Sequence, residues 1–396
     1  MSSPSSRSAE SPDDDLTLLA SPGIRILPVI HERLEIAALA RSALQQVDPV
    51  AVAIELPTTL QEAVLRAVQR LPQISLLISE EPGEEALVWV IVPGDPLVEA
   101  LRWALERDRT LVFIDPDLPY GQRHRDPVPD PYSIWSLGGR RYLGLLRDSL
   151  RRAATSDVDA RRESGMAFHL QQLRDDLEGG EILALVGAAH VDGIADRLHQ
   201  PQALPFARMR RTRVELRHLD PRSLTAILQD APLAHAVWER VRGGALPETS
   251  DLNAALNRKV SVVKYGLRVI HGEKGEPERH RRQRVVDFAC HRGTGTLAGC
   301  AVFPDRQALS QVVWTVGAGS YAEQTDEETS PWQRRLFSDY ARRCARVQGL
   351  LVPGLYEWTV AARGVGDDNL AWEVFEAARA YPWQEETAEI PTVRID

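Results

Sequence analysis

Histidine and carboxylate side chains stand at the ends of short apolar runs in this chain. His190 follows Ile182-Leu183-Ala184-Leu185-Val186-Gly187-Ala188-Ala189 and precedes Val191-Asp192-Gly193-Ile194. An unbroken apolar run, then glycine, then a helical pattern predicts a buried parallel strand leading into a crossover helix. Gly187 frees the backbone to turn. His190 then falls just beyond the strand's carboxyl end, where open α/β sheets hold their ligands. An imidazole placed there serves as a metal ligand or a general base. The position equally suits a helix-start or core histidine with satisfied hydrogen bonds. His31 repeats the arrangement after the run Ile24 to Ile30, which contains Pro28, and a helical pattern follows through Leu34, Ile36, Leu39 and Leu44. Glu55 closes the run Val50 to Ile54, and Asp115 closes Leu111 to Ile114. Parallel neighbouring strands would bring all these ends to one rim.

The elements that must position these residues alternate. Strands are expected at Ile24 to Ile30, Val50 to Ile54, Ile74 to Ile78, Leu87 to Val92, Leu111 to Ile114 and Ile182 to Val186. Between them lie helices over Arg33 to Gln46, Thr58 to Arg70, Pro96 to Arg107, Gly138 to Arg151 and Ala160 to Leu177. Asp95 is placed to cap the third of these, with Pro96 in its first turn. Such alternation predicts an α/β fold with a largely parallel or mixed central sheet and flanking helices. Asp115 fits a metal ligand, a residue behind the ligands or an orienter of a histidine, or a plain turn residue before Pro116-Asp117-Leu118-Pro119. Glu163 sits near a helix amino terminus, where the dipole favours a carboxylate without any chemistry. The loop from Tyr120 to Ser136 carries Arg123, His124 and Arg125, which suit an anionic substrate if the loop folds over the site and solvent if it does not.

Bulk properties narrow the class. The 396 residues fit two domains, or one domain with a large appendage. The expected organisation is a disordered tail over 1–20, an α/β catalytic unit over 21–200, and a mostly helical α+β unit over 201–396 that covers or extends it. The tail is rich in Ser, Pro and Asp and lacks a signal peptide's apolar core. A net charge of -9 argues against a dedicated nucleic-acid binder. No apolar run is long enough to span a membrane. A cytoplasmic location is expected. Cys290, Cys300 and Cys344 match neither a disulfide scaffold nor a four-cysteine zinc site.

In the second half, Val214 to Leu219 suggests an edge strand. Helices are expected at Ser223 to Gln229, Leu233 to Val241, Leu252 to Leu267 and Trp332 to Val347, and on both sides of the turn from Gly364 to Asp368. Gly272 to Arg284 suggests a hinge or surface loop, Val285 to Cys290 a strand, and Ser310 to Val316 a strand or the end of a helix. Glu357, Arg363, Asp367 and Asn369 are polar residues among bulky apolar ones, suited to a buried network or to substrate selection.

The first half resembles the TraB/PrgY/Tiki proteins and the wider superfamily of erythromycin-esterase-like and ChaN-like proteins. The resemblance covers roughly residues 23–198. It rests on Gly187-Ala188-Ala189-His190, on Val52-Ala53-Ile54-Glu55-Leu56, on Arg162-Glu163-Ser164-Gly165-Met166-Ala167, and on the order and spacing of these together with a first histidine motif. The first histidine motif departs from the pattern: it reads Pro28-Val29-Ile30-His31-Glu32, with proline where the family carries glycine. The resemblance implies that His31, Glu55, Glu163 and His190 line one cleft. There, His31, His190 and Glu55 would hold a divalent ion (Mn, Co, Zn or Fe) that activates water. The second carboxylate would move the proton, and Glu32 would stand behind His31.

The expected function is therefore metal-dependent hydrolysis of a peptide or other acyl compound. A metal-free version has histidine and carboxylate activating water directly. The alternatives are a haem- or metal-binding protein without hydrolysis, as implied by the ChaN-like relatives, and a regulatory or structural protein that has lost catalysis. A peptide or small-molecule substrate is the expected partner, with a protein partner or a second copy left open and no membrane or nucleic acid expected.

Overall fold

The structure is a computed structural model that describes residues 15–80, 86–118, 128–150, 156–206, 209, 211, 213–247 and 277–395. In chain order the strands are β1 (Leu18–Ser21), β2 (Ile24–Val29), β3 (Ala51–Pro57), β4 (Ser75–Ser79), β5 (Leu87–Ile91), β6 (Thr110–Asp115), β7 (Ile182–Gly187), β8 (Val214–Leu219), β9 (Thr294–Leu297), β10 (Cys300–Pro304) and β11 (Thr392–Val393). The helices of the first half are α1 (Leu34–Val47), α2 (Gln61–Gln69), α3 (Pro96–Glu106), α4 (Ile134–Leu137), α5 (Gly139–Leu150), α6 (Asp157–Asp176) and α7 (Val191–Arg197). Those of the second half are α8 (Leu224–Ile227), α9 (Pro232–Val241), α10 (Glu278–Arg292), α11 (Arg306–Thr325), α12 (Pro331–Val347), α13 (Leu355–Val365) and α14 (Asp368–Ala378). The protein is a mixed α/β fold with a helix-rich second half, as the alternating pattern predicts.

The central sheet has the order β1-β2-β7-β3-β6. The strands β2, β7, β3 and β6 run parallel, and β1 is antiparallel on the outside. Residues 18–20, expected in the disordered tail, belong to β1. That strand pairs as far as Ile26 and stops short of Pro28, which has no N–H for a further rung. Successive residues of the buried strands feed opposite faces. Leu27, Val29, Val52, Ile54, Leu183 and Leu185 pack in the layer shared with α1 and α3. Ile24, Ile26, Ala51, Ala53, Ile182 and Ala184 pack against α6 and α7.

β4 and β5 do not join this sheet. Too few residues lie between Ser79 and Leu87 for a crossover, so the two strands pair antiparallel as a hairpin. They form a second sheet of order β11-β8-β4-β5. β8, expected at an edge, has β4 on one side and β11 on the other. The segment after residue 200 thus extends the first half by main-chain pairing, and one apolar cluster runs through both.

Two other expectations in the second half are corrected, and a third is decided between its alternatives. The Gly272 to Arg284 loop and the Val285 to Cys290 strand give way, from Glu278 onward, to helix α10. Ser310 to Val316 lies inside α11. Leu252 to Leu267 falls outside the described residues. No helix among the described residues is long and apolar enough to cross a membrane.

Candidate functional site

The parallel strands bring Glu55, Asp115 and His190 to one rim of the central sheet. Glu55 lies within β3 and Asp115 ends β6. A tight turn after β7, closed by His190 N donating to the Gly187 carbonyl at 2.9 Å, sets His190 at the start of α7. The Gly187 amide donates to Glu55 Oε2 at 2.5 Å, which ties the ends of β7 and β3 together. All three side chains are buried, with exposures of 7% for Glu55, 2% for Asp115 and 6% for His190.

α6 completes the site with two consecutive residues that grip the two ring nitrogens of His190. Glu163 Oε1 lies 3.2 Å from Nδ1, and Arg162 Nη1 lies 3.1 Å from Nε2. A guanidinium only donates and an ionised carboxylate only accepts. When the ring is neutral, the two contacts therefore set its tautomer, with the proton on Nδ1 and a lone pair on Nε2. Glu163 is held in turn by Arg197 Nη1 at 2.8 Å. Its carboxylate lies against Gly193 of α7, where any side chain would overlap it.

Arg162 was not singled out in the sequence, because an arginine beside a glutamate near a helix start reads as a solvated face. The available signal was its spacing: Arg162 is one turn before Met166, on the side of α6 that Met166, Ala167 and Leu170 bury. Its Nη2 donates to Glu55 Oε1 at 2.7 Å and to Asp115 Oδ2 at 2.6 Å. Asp159 Oδ1 lies 3.9 Å from Nη1.

The electrostatics follow from this crowding. Burial pushes the Glu55 carboxyl up, but His190, Arg162, His31 and the Gly187 amide outweigh it and hold Glu55 below the usual carboxylate range. For His190, burial disfavours the charged ring. Glu55, whose Oε1 is 3.6 Å from Nε2, and Glu163 overcome burial and the opposing Arg162, so its pKa is raised.

The other expected residues are placed as follows. His31 follows β2 but stays half exposed, with Nδ1 3.8 Å from Asp95 Oδ2, and reaches Glu55 only through its field. The Glu32 amide donates to Asp95 Oδ2 at 2.9 Å, so the backbone of Glu32 helps to fix this loop. Asp115 holds an arginine rather than a histidine. Arg363 lies on α13 in an exposed pair with Asp368 and is not part of the cluster. Glu357 and Asp367 cap helices instead of facing a cleft. Arg123 and His124 lie outside the described residues.

The divalent ion implied by the resemblance does not fit this arrangement. Glu55 Oε1, Asp115 Oδ2 and His190 Nε2 each already take an N–H of Arg162. Among the described residues no three His, Cys, Asp or Glu side chains are grouped to hold a metal. Comparison with family models, curated proteins and solved structures finds no match.

Proposed function

We propose that the chain is an acyl hydrolase in which His190, oriented by Glu163, activates water without a metal ion. The observation that carries this reading is the imidazole held at both nitrogens by consecutive residues of α6. Glu163 keeps the proton on Nδ1, which leaves Nε2 as the base. An incoming acyl oxygen takes the Arg162 Nη1 N–H away from His190 and frees the Nε2 lone pair. His190 then removes a proton from water, and the hydroxide adds to the acyl carbon. The oxyanion that forms faces the Arg162 guanidinium, and Glu55 stabilises the imidazolium across 3.6 Å. Collapse breaks the bond to the leaving alcohol or amine, which receives the proton from Nε2.

The burial of His190, Glu55 and Arg162 favours a second reading, in which the same network locks strand and helix ends together without catalysis. A panel of p-nitrophenyl esters and short peptides assayed with and without chelator separates the two. Hydrolysis by the wild type should fall at least about 100-fold in folded His190→Ala and Glu163→Gln. Equal rates in His190→Ala and wild type, or no cleavage of any panel member, would leave the structural lock. Activity lost to chelator alone would return the metal-dependent mechanism.

A further inference from the structure

The geometry points to Arg162 as a resident cation, built into a site whose donor types suit a divalent ion but whose spacing does not. Three acceptors from three strand ends converge on the two terminal nitrogens of one guanidinium: Glu55 Oε1 from β3, Asp115 Oδ2 from β6, and His190 Nε2 after β7. Two carboxylates and an imidazole make up a donor set that divalent transition metals accept. The acceptors are buried, and buried carboxylates need a compensating cation. The Arg162 side chain, itself 11% exposed, supplies that charge from α6.

Guanidinium and metal demand different spacings. The acceptors stand 2.6–3.1 Å from the arginine nitrogens, whereas a metal draws N and O ligands to about 2.0–2.2 Å. The acceptors are also divided between two nitrogens, His190 on Nη1 and both carboxylates on Nη2, so they are spread to the shape of a guanidinium and not around one metal centre. Glu163 holds the far nitrogen of His190, as a carboxylate behind a metal-bound histidine would. Arg162 keeps its charge at any physiological pH and cannot be removed by chelators. The site's positive charge is therefore independent of metal supply. This inference does not depend on hydrolysis, and its readout is metal content and stability, not turnover.

The test compares the full chain with Arg162→Ala and Arg162→Lys, all purified from chelator. Cobalt(II) titration followed by visible absorption and calorimetry should show no site in the wild type or in Arg162→Lys. Arg162→Ala should take up one cobalt ion with d–d bands, and should lose it when Asp115→Asn is added. Ethylguanidine should raise the melting temperature of Arg162→Ala and leave that of the wild type unchanged. If Arg162→Ala is recovered unfolded, refolding with cobalt or ethylguanidine should restore it. A stoichiometric ion in the wild type that Asp115→Asn removes would overturn the assignment. So would an Arg162→Ala variant that neither cobalt nor ethylguanidine occupies, stabilises or refolds.

Discussion

His190 makes the site's electrostatics measurable. A histidine whose pKa is raised on folding binds its proton more tightly in the folded chain than in the unfolded one. That stabilisation is complete below the unfolded value of about 6.5 and is lost as pH climbs through the higher folded value. Unfolding free energy should therefore fall in the window that opens at about pH 6.5 and runs up through the raised folded value. His235, pushed down to about 4 by burial, titrates on the acid side of it. The buried thiols of Cys290 and Cys300, both raised by burial, act above it. Urea denaturation across the window should give a downward slope for the wild type and a flat line for His190→Gln. An equal slope in both would show that the proton sits elsewhere. Glu163 was legible only through the family resemblance, whereas Glu55, Asp115 and His190 were legible as chemistry-bearing residues, because an apolar run that stops at a polar side chain marks a strand end. Their partner was not. Arg162 acquires its role only when α6 is laid over the sheet, and no local pattern separates such an arginine from a solvated one.

Among the elements, the start of α3 was legible to the residue. Asp95-Pro96 reads as a cap followed by a first-turn proline, and Asp95 Oδ1 indeed accepts from Leu97 N at 2.8 Å and Val98 N at 3.1 Å. The sequence gives no hint of the second task. Asp95 Oδ2 takes the Glu32 amide and pins the loop that carries His31. Asp95→Ala should cost about 1 kcal/mol for the cap, and about 1 kcal/mol more for the Glu32 amide left without its acceptor. A urea midpoint corresponding to less than about 0.5 kcal/mol would refute the double role, since caps alone usually exceed that. α10 was misread for a physical reason. Its first two turns are almost wholly charged, Glu278-Arg279-His280-Arg281-Arg282, and its apolar residues are crowded into Val285 to Cys290. Crowding of that kind, with two adjacent valines, mimics a short buried strand. Only packing against α9 and α11 selects the helix.

At the scale of the molecule, the sequence shows which segments are strands but not which strands meet. β4 depends on the second half for its neighbour: five residues from Ser75 to Ser79 pair with β8. Gln384 clamps the residue before it, donating to the Ile74 carbonyl at 3.0 Å and accepting from the Ile74 amide at 2.8 Å. Tyr381 donates to the Pro72 carbonyl at 2.6 Å. Trp238 of α9, fully buried, donates to the Pro93 carbonyl at 3.0 Å, next to the loop that holds Asp95. A fragment ending at residue 200 would lose all of these. β4 would become an open edge, the backbone of Ile74 would lose its partners, and Arg102 and Glu99 of α3 would lose Glu239 and Arg242. Open edges of that kind aggregate rather than fold. The fragment should therefore lack a cooperative melt, and the full chain should unfold in one transition when followed by tryptophan fluorescence and by far-ultraviolet circular dichroism. A fragment of residues 1–200 with native-like dichroism and a sharp melt would show that the site stands on a separable unit and that the second half is an addition to it.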